Sequence, residues 1–109
     1  MTLIRSIYFA GSISGGREDA AQYRQIIALL AEYGQVLTEH VGDPELSASG
    51  ESRRTSAEVY QQDMDWLAQA DVLVAEVSIP SHGVGYEIAS AEGTGTPVLC
   101  LYGLGEGVR

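Results

Sequence analysis

Four short apolar runs, each a single strand long, constrain this chain more than any other feature. They are "LIRSIYFAG" at 3–11, "QVLTEH" at 35–40, "DVLVAEV" at 71–77 and "VLCLY", led by Pro97. The first is apolar, β-branched and aromatic and ends at glycine, the signature of a buried strand. Helical segments separate these runs. From Glu18 to about Tyr33 the residues Tyr23, Ile26, Ile27, Leu30 and Tyr33 recur at helical spacing, with Gly34 as a stop. "TSAE" at 55–58 has the form of a capping box, Thr55 capping and Glu58 reaching back, and opens a helix to about Ala70. A third helix is expected from about Val84 to Glu92 or Gly93. Residues 41 to 54 carry Gly, Pro, Ser and mixed charge without periodicity and read as a surface loop. The tail "GLGEGVR" carries no fold signal.

Alternating strands and helices, with strands that are continuous apolar runs, imply a parallel sheet covered on both faces. The expected fold is therefore α/β, a doubly wound, Rossmann-like parallel sheet flanked by helices. At 109 residues the chain fits one domain, 1–109. In such sheets ligands bind outside the carboxyl ends of the strands, where strand order reverses. Three loops with unusual residues fall at those ends: "GSISGGRED", "EHVGD" and "SIPSHGVGYE". The first matches neither dinucleotide nor Walker spacing. It offers the hydroxyls of Ser12 and Ser14, the cation Arg17 and N–H groups at a helix start, which suit a phosphate, though a plain turn accounts for it equally well.

Two acids stand out. Projected at about 100° per residue, Tyr60, Met64, Leu67 and Ala70 share an arc, with Asp63 inside it and Asp65 on the solvated side. An acid on an apolar face meets a partner or borders a cavity, because burying an unpaired carboxylate is costly. Glu87, after a Gly-Val-Gly-Tyr bend, falls beside Val84 and Ala91 on the inward border of its helix. If it occupies the first turn, favour from the helix dipole would explain it; the other reading is a nucleophile. Two inward-leaning carboxylates from different helices, with Tyr8 near the end of the first strand, suit glycosidic chemistry, in which acids of differently tuned pKa divide the work.

Other features narrow the field. A net charge of −9 with six Lys plus Arg argues against a polymeric nucleic-acid partner. No apolar run approaches the ~20 residues of a membrane span, and the N-terminus is too short and strand-like for a signal peptide, so a cytoplasmic protein is expected, with the nucleus as the alternative. The single Cys100, inside an apolar run, reads as core packing. His40 and His82 lie near the functional edge without companions at ligand spacing, so neither a metal nor another cofactor is expected. Trp66 reads as packing or interface.

"SIYFAGSISGGRED", "YGQVLTEHV", "QQDMDWLAQADVLVAEVSIPSHGVGYE" and "GTPVLCLY", in this order and at these spacings, closely resemble the 2′-deoxynucleoside 5′-phosphate N-hydrolases, a branch of the nucleoside 2-deoxyribosyltransferase superfamily. The resemblance runs from about Ser6 to Tyr102. It implies hydrolysis of the N-glycosidic bond of a deoxynucleoside monophosphate through a covalent glycosyl-enzyme intermediate. Glu87 matches the nucleophile, Tyr8 the tyrosine that holds it, and Asp63 the acid that assists departure of the base. Gly11, Ser12 and Ile13 match the loop that contacts the nucleotide, and Ser81 and Gly83 match residues that grip the 5′-phosphate. Where relatives carry an arginine after the G-S-I triplet this chain has Ser14: either a cation contact to the phosphate is lost or Arg17, three residues on, substitutes for it, the other reading of Arg17 being a solvated residue at the helix start. The resemblance also implies a homodimer, and a continuation past the fourth strand that adds a fifth strand and lends a serine to the neighbouring subunit's phosphate site. Two readings stand: a chain truncated relative to the family, or a reduced phosphate site. Related branches leave deoxyribosyl transfer and ribonucleotide hydrolysis as enzymatic alternatives, and a non-catalytic nucleotide-binding module as a third.

Overall fold

The structure, a computed structural model, describes residues 4–12, 20–38 and 56–103. Its elements run β1 (Ser6–Gly11), α1 (Ala20–Leu30), β2 (Gln35–Val36), α2 (Ser56–Gln69), β3 (Val72–Glu76), α3 (His82–Gly93) and β4 (Val98–Leu101). The strands form one parallel sheet in the order β2-β1-β3-β4. Chain order therefore reverses between β1 and β3, and the doubly wound α/β expectation holds.

Alternation along the two central strands divides the core. Ile7 and Phe9 of β1 and Val74 of β3 meet Tyr23 and Ile27 of α1 on one face. Tyr8 and Ala10, with Leu73 and Ala75, meet Leu67 and Ala70 of α2 and Val84 and Ala91 of α3 on the other. Successive strand residues point to opposite faces, so a continuous apolar run satisfies both layers at once. On the α1 face Phe9 and Tyr23 pack edge to face, their ring centroids 5.5 Å apart. β1 and β3 pair over five positions, from Ile7 with Val72 to Gly11 with Glu76. The entry to that pairing is pinned by Asp71, whose carboxylate accepts from the backbone N–H groups of Arg5 (2.7 Å) and Ser6 (3.1 Å). These hydrogen bonds hold the Asp71 carboxyl below its usual range.

The elements depart from the sequence expectation mainly at their ends. β1 starts at Ser6 and leaves Ile4 exposed. α1 ends at Leu30, and the chain turns through Gly34, whose N–H reaches the Leu30 carbonyl at 3.2 Å. Tyr33, expected on the buried arc, is consequently 66% exposed.

β2 is two residues long where six were expected, and a side chain accounts for the difference. The ladder continues through the Leu37 N–H to the Ile7 carbonyl (2.8 Å). At the next step the buried Thr38 hydroxyl replaces the strand: Oγ1 accepts from the Phe9 N–H at 3.0 Å and donates to the Phe9 carbonyl. Both backbone groups of Phe9 are thereby satisfied on that side by one hydroxyl.

At the other edge β4 is thinly covered, with Val98 and Leu101 half-buried and Leu99 52% exposed. Cys100 is exposed too, which corrects its assignment to the core. An edge strand is covered only by what packs on its two faces, and α3 is the helix that meets β4. Thr55, the expected cap of α2, lies outside the described residues, and α2 itself spans the expected segment closely.

The Thr38 arrangement makes a direct stability prediction. Thr38→Val keeps the shape and removes the hydroxyl, leaving a buried N–H and carbonyl of Phe9 unpaired, and should cost about 2 kcal/mol in a urea unfolding titration. Thr38→Ser should recover most of that loss.

Candidate active site

The reversal between β1 and β3 places Tyr8 on the sheet face that α2 and α3 cover. Tyr8 is buried to 2% exposure among Leu67, Leu73 and Val84, and its hydroxyl donates to Oε2 of Glu87. That bond joins the central strand to α3 across 79 residues of sequence. Glu87 and Asp63 are both half-buried; the projection set Glu87 on the inward border of its helix and Asp63 inside the apolar arc.

α3 begins earlier than expected. Ser81 is its N-cap, in an extended conformation, with its hydroxyl accepting from the Val84 N–H at 3.2 Å, and His82 is the first helical residue. Glu87 therefore sits in the second turn, and no acid occupies the first. Favourable interaction with the helix dipole fades within the first turn, so it cannot explain an acid there.

The electrostatics of Glu87 follow from its surroundings. Burial raises its pKa most; the Tyr8 hydrogen bond lowers it; the nearby negative charge of Asp63 raises it again. The outcome is about 7, against an ordinary value of 4.5. Tyr8 is pushed far above the ordinary phenol range, first by burial and then by the Glu87 charge and hydrogen bond, with a smaller contribution from Asp63. It stays a proton donor at every accessible pH. Here a carboxylate poised near neutrality is held by a neutral donor, with a second acid close by.

Above this pair α2 and α3 are bolted together by two tyrosines. The hydroxyls of Tyr60 and Tyr86 lie 2.8 Å apart and the ring centroids 5.9 Å apart. Tyr60, expected on the buried arc of α2, is instead 49% exposed, because what faces it is Tyr86 of α3. Trp66 is half-buried and packs against the core on the α2 and α3 face.

The first loop leaves the sheet at Gly11 and Ser12. Ser12 is buried, and its carbonyl accepts from the Tyr23 hydroxyl at 2.9 Å. A β-carbon on Gly11 would stand 2.9 Å from the Tyr23 ring, so the tyrosine that anchors the loop requires glycine beneath it. Gly11 pairs in register with Glu76, so the loops after β1 and β3 leave neighbouring strands at the same sheet edge. Ser81 and Gly83 follow on that edge, at the start of α3. Ile13, Ser14, Arg17 and His40 lie outside the described residues. His82 is exposed.

With this geometry in place, similarity to known proteins becomes informative. A family model described as nucleoside 2-deoxyribosyltransferase matches residues 7–105. The chain belongs to the nucleoside 2-deoxyribosyltransferase family. A protein of Rattus norvegicus named 5-hydroxymethyl-dUMP N-hydrolase is 54% identical over 98 residues, covering 89% of this chain and 60% of the relative. A Homo sapiens protein of the same name is 49% identical over 98 residues, covering 89% of this chain and 56% of that one. The chain thus spans somewhat over half the length of these two relatives. Among solved structures, a conserved protein from Enterococcus faecalis V583 superposes with a TM-score of 0.62 at 25% identity, over 91% of this chain and 64% of its own.

Sequence reasoning in this family passed over one buried acid. Glu76, the last residue of β3, is 3% exposed, and both its oxygens accept from Ser78. The available signal was an acid closing an otherwise apolar strand.

The raised pKa of Glu87 carries a stability consequence. The folded state holds this proton more tightly than the unfolded chain, so the contribution is fully present below pH 4.5 and is lost as pH rises through about 7. The difference in Tm between Glu87→Gln and wild type, followed from pH 4.5 to 8.5, should therefore shift in favour of the variant as pH rises, by at most ~3 kcal/mol in free energy. Tyr8→Phe removes the one influence that lowers the pKa, so its transition should move to higher pH than that of wild type.

Proposed function

We propose that this protein hydrolyses the N-glycosidic bond of 2′-deoxynucleoside 5′-monophosphates, releasing the free base and 2-deoxyribose 5-phosphate. The observation that carries the reading is the buried contact between Tyr8 and Glu87, with Asp63 at its side. Burial makes the Glu87 carboxylate basic and nucleophilic, and the Tyr8 hydroxyl holds it through one oxygen, leaving Oε1 for a reacting carbon.

In this mechanism Glu87 Oε1 attacks C1′ of the deoxyribose. The C1′–N bond breaks and its electron pair goes to the base; near neutrality Glu87 and Asp63 share one proton, and in the reactive form it sits on Asp63 and passes to the departing base. Water then attacks C1′ of the glycosyl ester, its proton returns to Asp63, and the Glu87 carboxylate leaves. Both carboxyl groups end as they began, as retaining glycosidic chemistry requires.

Gly11, Ser12 and Ile13, with Arg17, would line the nucleotide's approach from the β1 side. Ser81 and Gly83 would hold the 5′-phosphate from the α3 side, where N–H groups at a helix start favour an anion. The names of the rat and human relatives support a deoxynucleotide substrate and place 5-hydroxymethyl-dUMP first among those to test. The family resemblance supports a homodimer as the working unit.

The test is base release, followed by chromatography, from a panel of deoxynucleoside monophosphates, ribonucleoside monophosphates and bare nucleosides, with and without an acceptor base. Wild type should release base from deoxynucleoside monophosphates without an acceptor, and Glu87→Ala should release none. Asp63→Asn should lower kcat by about 10²–10⁴-fold, the usual contribution of a general acid. In wild type kcat/KM should rise with pH to a midpoint near 7, where Glu87 ionises. Reaction only when an acceptor base is present would replace hydrolysis by transfer, and silence of the whole panel would overturn the catalytic reading.

A further inference from the structure

Glu76 is a buried carboxylate that the mechanism above does not use. Val72, Val74 and Glu76 alternate onto the α1 face of β3, whereas Leu73 and Ala75 face the layer that holds Tyr8. Glu76 therefore lies across the sheet from the Tyr8 and Glu87 pair and cannot act on the reacting carbon. Its two oxygens are both spent on one residue. Oε1 accepts from the Ser78 N–H at 3.0 Å, and Oε2 accepts from the Ser78 hydroxyl at 2.6 Å.

Ser78 extends the network outward. Its Oγ accepts from the Gly103 N–H at 2.8 Å, so the chain after β4 is tied to the turn after β3. The backbone adds a second tie one residue earlier, from the Val77 N–H to the Leu101 carbonyl at 2.8 Å. The fit around Gly103 is tight: a β-carbon there would stand 3.3 Å from Gln22 Nε2, 3.4 Å from Ser78 Oγ and 3.5 Å from Glu76 Oε2. Ser78 is thus held from the sheet by two hydrogen bonds to one carboxyl group and from the chain after β4 by a backbone donor.

Two residues separate this clamp from Ser81, the N-cap of α3. They are Ile79 and Pro80, and the proline ring fixes its own φ, which narrows the conformations open to the link between Ser78 and Ser81. Ser81 then caps the helix through the Val84 N–H. Glu87, by contrast, is held independently by Tyr8.

We propose that Glu76 is a positioning residue for the phosphate site, acting through Ser78 to set the turn that presents Ser81 and Gly83. The inference rests on the reading under Proposed function that these two residues grip the 5′-phosphate. The division of labour has a kinetic consequence. Loosening the turn weakens the hold on phosphate, and the attack by Glu87 on bound substrate proceeds as before.

The experiment compares wild type with Glu76→Gln, Ser78→Ala and Ser78→Thr. Base release from a deoxynucleoside monophosphate gives kcat and KM, and calorimetry gives the affinity for 2-deoxyribose 5-phosphate without turnover. Glu76→Gln and Ser78→Ala should each raise KM and the sugar-phosphate Kd about tenfold, in line with loss of a hydrogen bond to a charged group, while kcat stays within about twofold. Ser78→Thr, which keeps the hydroxyl, should stay close to wild type. If Glu76→Gln fails to fold, as circular dichroism would show, Ser78→Ala and Ser78→Thr decide the matter. A fall in kcat at unchanged KM, unchanged Kd in Ser78→Ala, or no binding of the sugar phosphate by wild type would overturn the proposal. Binding that follows the predicted pattern in a wild type that releases no base would uphold the positioning role and sink the hydrolase reading alone.

Discussion

The parallel pairing of β1 with β3 is the constraint on which the rest of the molecule depends. These two strands are neighbours in space but lie more than sixty residues apart in the chain, and they meet over five register positions. Because side chains alternate, one register decides which residues face α1 and which face α2 and α3. A slip by one position along β3 would bring Val74 onto the face that Leu73 and Ala75 occupy and turn Glu76 toward the other layer. Asp71 opposes that slip at the entry, where its carboxylate takes the N–H groups of Arg5 and Ser6. Its position just before β3 makes it a register pin rather than a site residue.

Once this register is set, Glu87 and Glu76 stand on opposite sides of the sheet and are paired in different ways. Glu87 accepts one hydrogen bond and has a pKa raised to about 7, the condition of a reactive carboxylate. Glu76 accepts two hydrogen bonds from a single neighbour and closes the turn after β3. The two differ in how fully each is paired. Such a contrast is decided by the number and direction of donors, which depends on chain segments distant in sequence.

The pair proposed to act on the sugar and the residues proposed to meet the nucleotide are held by different means. Tyr8 belongs to the central strand, the best buried part of the molecule, and α3 is fixed to it through Glu87. The residues proposed to meet the phosphate sit at strand ends and helix starts, which are set by local devices: the Tyr23 hydroxyl on the Ser12 carbonyl, and the Ser81 cap on Val84. Loops held on a rigid scaffold can change their ligand contacts without disturbing the core.

Much of this was legible in the linear sequence. Apolar runs alternating with helical periods implied the doubly wound sheet, because a strand buried on both faces has no room for polar alternation. The helical projection put Asp63 inside an apolar arc and Glu87 on an inward border, since a period of 3.6 residues follows from backbone geometry alone. What the sequence could not express were interactions between distant segments. Thr38 reads as a strand residue, yet it ends the strand by giving its hydroxyl to Phe9. Cys100 reads as core, yet β4 lies at an edge and exposes it. Tyr60 joins the apolar arc of its helix, yet it meets Tyr86 at the rim. Glu87 looked like an acid of a first turn until Ser81 proved to start the helix earlier. Local periodicity is a property of neighbours in the chain and survives in the sequence. Burial, register and hydrogen-bond partnership are properties of neighbours in space, and only the tertiary structure decides them.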